Sequence, residues 1–90
     1  MASTTLASTV RTAFTEDGAV VMEIKKGLMY SSNPVAGRML ELLKAGKTHA
    51  EVSSTVAAEC GVEVDVVDLD LKEFIMTLEE YGIAETSSNL

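Results

Sequence analysis

The stretch from Asp17 to Gly46 alternates turn signals with short apolar runs, and that order leaves few folds open. Asp17-Gly18 is a turn signal, because glycine accepts positive φ where side-chain-bearing residues resist it. Val20, Met22 and Ile24 then alternate with Ala19, Val21 and Glu23, which is strand periodicity. Lys25-Lys26-Gly27 makes a second tight turn, and Leu28, Met29 and Tyr30 fit a short strand folding back on the first. Asn33 suits a helix N-cap, and Pro34 stands where a missing N–H costs nothing. The stretch therefore predicts strand, turn, short edge strand and helix. A short edge strand bears on function, because its free N–H and C=O groups can pair with another chain.

Upstream, Val10, Thr12 and Phe14 alternate with polar neighbours and predict a first strand, completing a three-stranded antiparallel meander. Residues 1–9 are small and polar and are expected to fray. Downstream, three helices are expected. Val35, Met39, Leu40, Leu42 and Leu43 give the first, over 34–44, an apolar stripe that Gly46 closes. Thr48 and Glu51 have capping-box spacing at the start of the second, with Val52, Val56 and Cys60 on its expected buried face and Gly61 at its end. The third is expected to begin at Asp65 as N-cap, with Val67, Leu71, Phe74, Ile75 and Leu78 as an amphipathic stripe. Gly82 stops it, Ile83 tucks back, and residues 85–90 read as a polar tail. The whole is one α+β domain over 10–84: a three-stranded antiparallel sheet followed by three helices, winged-helix-like.

Composition narrows what such a domain can do. Ninety residues allow a single core, and 47% apolar content excludes a disordered segment. The net charge of -7 argues against nucleic acid and against an anionic membrane surface. No apolar run approaches the roughly 20 residues of a membrane span, and Met1 to Val10 lacks the pattern of a signal peptide. A cytoplasmic protein is expected, monomeric or weakly dimeric.

No catalytic constellation emerges. His49 is the sole histidine and is expected to be a solvated residue in the first turn of the second helix. A Cys60–His49 pair, eleven residues apart on one helix, would be separated by about 16 Å of rise, too far for a hydrogen bond. No cluster has metal-ligand spacing, no glycine-rich phosphate loop is present, and no cofactor is expected. The carboxylates of the third helix read as a solvated face. Helical projection places Leu69 and Met76 opposite its core stripe, where lone apolar residues are ordinary.

The ordered set Asp17-Gly18-Ala-Val-Val, Gly27-Leu-Met-Tyr30-Ser-Ser-Asn33-Pro34-Val-Ala-Gly37 and Leu42-Leu43 resembles the PqqD-like family. The likeness continues through Thr48-x-x-Glu51-Val52, Cys60-Gly61-Val62-Glu-Val-Asp65 and Asp70-Leu71-x-x-Phe74-Ile75-x-x-Leu78-x-x-x-Gly82-Ile83, so it spans Ala13 to Ile83. One departure is Ser32, where the family usually has a bulky apolar residue before the asparagine. The resemblance implies a non-catalytic recognition element for the leader segment of a ribosomally made precursor peptide. It implies that the leader adds as a strand to the third strand and lies against the third helix. The implied contacts are Leu28, Met29, Tyr30 and Ser31 on the strand and Val67, Asp70, Leu71 and Phe74 on the helix.

The discrete leader-binding protein of lasso-peptide biosynthesis is the nearest form, presenting the precursor to a leader peptidase. A pyrroloquinoline-quinone-type peptide chaperone for a radical S-adenosylmethionine (radical SAM) enzyme is the alternative. From another class, a winged-helix DNA-binding protein would need a basic recognition helix. The third helix instead sets Asp65, Asp68, Asp70, Glu73, Glu79 and Glu80 against Lys72.

Overall fold

The computed structural model describes residues 2–88. Met1, Asn89 and Leu90, parts of the expected frayed start and polar tail, lie outside the described residues. The chain runs β1 (Ala2–Leu6), β2 (Val10–Thr15), β3 (Gly18–Glu23), β4 (Leu28–Ser31), α1 (Pro34–Lys44), α2 (His49–Cys60), α3 (Val64–Glu80) and β5 (Ala84–Ser88). The expected meander is present as an antiparallel sheet in the order β2-β3-β4. The ends of the chain depart from expectation. Neither end is a loose tail over 2–6 and 84–88, because β1 and β5 pair with each other antiparallel, Ala2 opposite Ser88 through Leu6 opposite Ala84. Propensity alone cannot reveal two short strands 80 residues apart that stabilise only each other.

Alternation decides which side of the meander is buried. Ala19, Val21 and Glu23 point inward. Val10, Thr12 and Phe14 share that face from β2, and Leu28 and Tyr30 share it from β4. Helix α1 covers it with Met39, Leu40, Leu42 and Leu43, while Val35, expected in this stripe, is exposed. Glu23 is buried yet charged for a reason: its carboxylate accepts the backbone N–H groups of Lys25 and Lys26 at 3.0 and 3.1 Å, closing the β3–β4 turn. A side-chain hydrogen bond from Thr9, then these backbone donors and the nearby Lys26 charge, hold it below the usual carboxylate range.

The helix ends follow local chemistry. Asn33 caps α1 by accepting the Ala36 N–H at 2.8 Å. Thr48 and Glu51 form the expected reciprocal capping box on α2. Helix α3 starts earlier than expected: Glu63 is its N-cap, without a side-chain cap bond, and Asp65 lies within the first turn, where its charge still suits the helix dipole. The stripe Val67, Leu71, Phe74, Ile75 and Leu78 is buried as expected. Cys60 is exposed, contrary to expectation. It is the last residue of α2, and the core contact of that helix ends with Val56 and Ala57.

His49 is not a free surface residue. It is half-buried, with Nε2 2.6 Å from the Thr4 hydroxyl, which in turn lies 2.9 Å from the Thr86 hydroxyl. Burial pushes its pKa down, opposed by the Glu79 charge. The folded state therefore favours neutral imidazole, and the unfolded chain binds more protons just below the ordinary value of about 6.5. Stability from this group is complete above that pH and falls as the pH drops toward the depressed folded value. Thermal unfolding followed from pH 7.5 to 5 should show a declining midpoint in wild type and a flatter profile in His49→Gln. Equal slopes would show that His49 does not govern docking of the terminal sheet.

Candidate peptide-binding site

Strand β4 ends the three-stranded sheet, and its outer edge pairs with no strand among the described residues. Register identifies the groups this edge offers. The Ser32 N–H donates to the Ala19 carbonyl at 2.9 Å, so Ser32 and Ala19 form a hydrogen-bonded pair. Hydrogen-bonded and open pairs alternate along an antiparallel ladder. Tyr30 opposite Val21 and Leu28 opposite Glu23 are therefore turned toward β3, whereas Met29 and Ser31 direct their backbone N–H and C=O groups away from the sheet.

A groove of about 460 Å³ runs beside this edge. Tyr30 and Asn33, then Val35, Ala36 and Met39 of α1, line one side, and Asp70, Glu73, Phe74 and Thr77 of α3 line the other. The Tyr30 ring spans the gap between sheet and helix. Its centroid lies 6.3 Å from that of Phe74, at 36° between planes, and 5.9 Å from that of Tyr81, at 51°. These separations fit tilted aromatic contact. At the far end the Lys26 ammonium lies over Gly82, bringing the β3–β4 turn to the C-terminal end of α3, where a cation is favoured. The groove thus combines an aromatic wall, a free backbone ladder and the carboxylates of Asp70 and Glu73. No lysine or arginine lines it.

The expected site residues divide by position. Leu28, Met29, Tyr30 and Ser31 form the edge strand, with Met29 67% exposed. Asp70 and Phe74 line the groove. Val67 and Leu71 face the core and are buried. Glu73 and Thr77 went unnoticed in the sequence, although they follow Asp70 at i+3 and i+7 and so share its side of the helix. Asn33, Val35, Ala36 and Met39 join the groove only through the packing of α1, which no local signal encodes.

The corner between β4 and α1 explains Ser32. Its hydroxyl accepts the Ala19 N–H at 3.1 Å, a role an apolar side chain could not fill. A second groove, of about 490 Å³, lies between the β2–β3 hairpin and α1. Its Arg38 is already held by Glu41 at 2.7 Å and Glu59 at 2.8 Å, and no free strand edge borders it, since β2 pairs with β3 there. No helix among the described residues is long and apolar enough to cross a membrane.

The family described as Coenzyme PQQ synthesis protein D (PqqD) matches residues 18–84, from the first residue of β3 through the first residue of β5. The chain belongs to the PqqD family. PqqD-like structures carry the same fold. TbiB1, solved in complex with the TbiA(beta) leader peptide, is 25% identical and superposes with a TM-score of 0.86, covering 94% of this chain and 99% of that one. A lasso peptide synthetase B1, solved with its leader peptide, is 24% identical with a TM-score of 0.82, covering 91% and 96%. No curated protein sequence matches the chain.

Proposed function

We propose that this chain is a non-catalytic recognition element that binds the leader segment of a ribosomally made precursor peptide by strand addition to β4. The free edge of β4 beside an aromatic-walled groove carries this reading. It is supported by the likeness to TbiB1, a protein solved with a leader peptide across nearly the same length of chain. Met29 and Ser31 would supply ladder hydrogen bonds and with them most of the affinity. Leader side chains on the inner face would enter the groove against Tyr30 and Phe74, beside Leu28 at the strand's start. Asp70 would hold a basic leader residue or a backbone donor. Val67 and Leu71 would brace the helix from the core.

The bound leader would then be presented to a processing enzyme, a lasso-peptide leader peptidase in the reading the similar structures favour. The family description favours a second partner, a radical SAM enzyme served by a pyrroloquinoline-quinone-type chaperone. The domain would act over residues 10–84 in the cytoplasm, as a monomer or weak dimer.

A fluorescence-anisotropy titration with the labelled leader of the associated precursor tests the reading. Saturable binding is expected, weakened roughly tenfold by Asp70→Lys, as suits loss and reversal of one partly exposed charge. Absence of binding by folded protein at micromolar concentration would refute it.

A further inference from the structure

The outer face of the three-stranded sheet has no covering element. Register places Arg11, Ala13 and Thr15 of β2, Val20 and Met22 of β3, and Met29 and Ser31 of β4 on that face, with Met22 directly opposite Met29. Met22 is 41% exposed and Met29 67%, and Ile24, just beyond β3, is 54% exposed. No outward strand position carries a carboxylate, although the chain has a net charge of -7; the one charged residue there is Arg11. An apolar surface fringed by positive charge is thus set into an otherwise acidic protein.

This face is continuous with the leader-binding edge. Side chains of an added strand alternate between the two sides of a sheet. One set would enter the groove, and the other would stand beside Met29 and Ser31, widening the outer face by one strand. We propose that this composite surface is the docking platform for the processing enzyme, which would present an apolar patch edged by carboxylates. The proposal rests on the leader-binding reading above. The enzyme meets the leader's outward side chains and the methionines together, so leader and enzyme each tighten the other's binding, as reciprocal linkage requires. Methionine suits such a surface, because its flexible thioether adapts to an uneven partner. Charge disfavours a second copy stacked face to face, since that would bring Arg11 toward Arg11 without an acidic counterpart.

The test titrates the processing enzyme encoded with the precursor against the chain, with and without saturating leader peptide, for wild type, Met22→Glu, Met22→Lys and Ile24→Glu. Leader affinity is measured separately for each, and circular dichroism checks the fold. Leader affinity should stay within about twofold of wild type in all three variants, because neither residue borders the groove. Leader should tighten enzyme binding to wild type. Met22→Glu and Ile24→Glu should weaken it about tenfold or more, and Met22→Lys by less, because the expected partner is acidic. Enzyme binding unchanged in both glutamate variants, or absent in wild type that binds leader, would overturn the proposal. So would a wild-type dimer, or binding to phosphatidylglycerol vesicles, that Met22→Glu abolishes while enzyme binding persists. Failure of wild type to bind leader would instead remove the underlying reading, and the proposal with it.

Discussion

Ser31→Pro should reduce leader affinity by tenfold or more while leaving the domain folded. The Ser31 N–H points out of the sheet, as the hydrogen-bonded pair of Ser32 with Ala19 requires. Proline therefore breaks no bond within the native sheet, and edge strands tolerate it for this reason. It does remove one donor from the incoming ladder, worth about 1 kcal/mol, and sets ring atoms where the leader backbone must approach. Together these exceed the 1.4 kcal/mol or so that corresponds to a tenfold change. Tyr30→Pro is the contrast. The Tyr30 N–H faces Val21, so that variant should lose a ladder bond and the β3–β4 hairpin with it. Anisotropy titrations and thermal melts of the two proteins separate the effects. Native affinity in a folded Ser31→Pro protein would exclude strand addition at β4.

Gly18→Ala should be among the most damaging single substitutions in the chain, costing about 3 kcal/mol or more. Gly18 opens β3 with φ at +135°, a conformation that residues with a Cβ rarely adopt. A Cβ there would also fall onto the Ser32 carbonyl oxygen and within 2.9 Å of the Asn33 carbonyl carbon. Those atoms are backbone and cannot swing aside. Gly37 of α1 completes the contact, since a Cβ on it would lie 3.0 Å from the Gly18 carbonyl carbon. Sheet, corner and helix thus meet through backbone alone, and this contact sets the angle at which α1 leaves the sheet to form one wall of the groove. For a domain of this size the melting temperature should fall by roughly 15 °C. Gly27→Ala provides the control: φ is +69° there, but nothing lies within 4 Å of an added Cβ, so only the conformational cost of about 1 kcal/mol remains. Urea unfolding of both variants checks the comparison, and equal losses would show that the close approach of Gly18 to Ser32 is unimportant.

The part of this protein legible in its sequence is the part governed by neighbours along the chain. Asn33-Pro34 fixed the start of α1, Thr48 and Glu51 the capping box of α2, and the spacing of Val67, Leu71, Phe74, Ile75 and Leu78 the buried stripe of α3. Asp17-Gly18 and Lys25-Lys26-Gly27 separated the strands of the meander, and with them the edge strand. In each case the stabilising contact spans only a few residues. Tertiary structure decided the rest. Apolar side chains occupy both faces of β3, so only the seating of α1 determines that Ala19 and Val21 are buried while Met22 is exposed. His49 and Thr4 gain their hydrogen bond from the pairing of β1 with β5, a contact between the two ends of the chain. Asp70 and Phe74 become groove residues while Val67 and Leu71 stay in the core, because Tyr30 approaches α3 from one side alone. Periodicity marks the faces an element has; which face meets solvent, core or a partner depends on what packs against it.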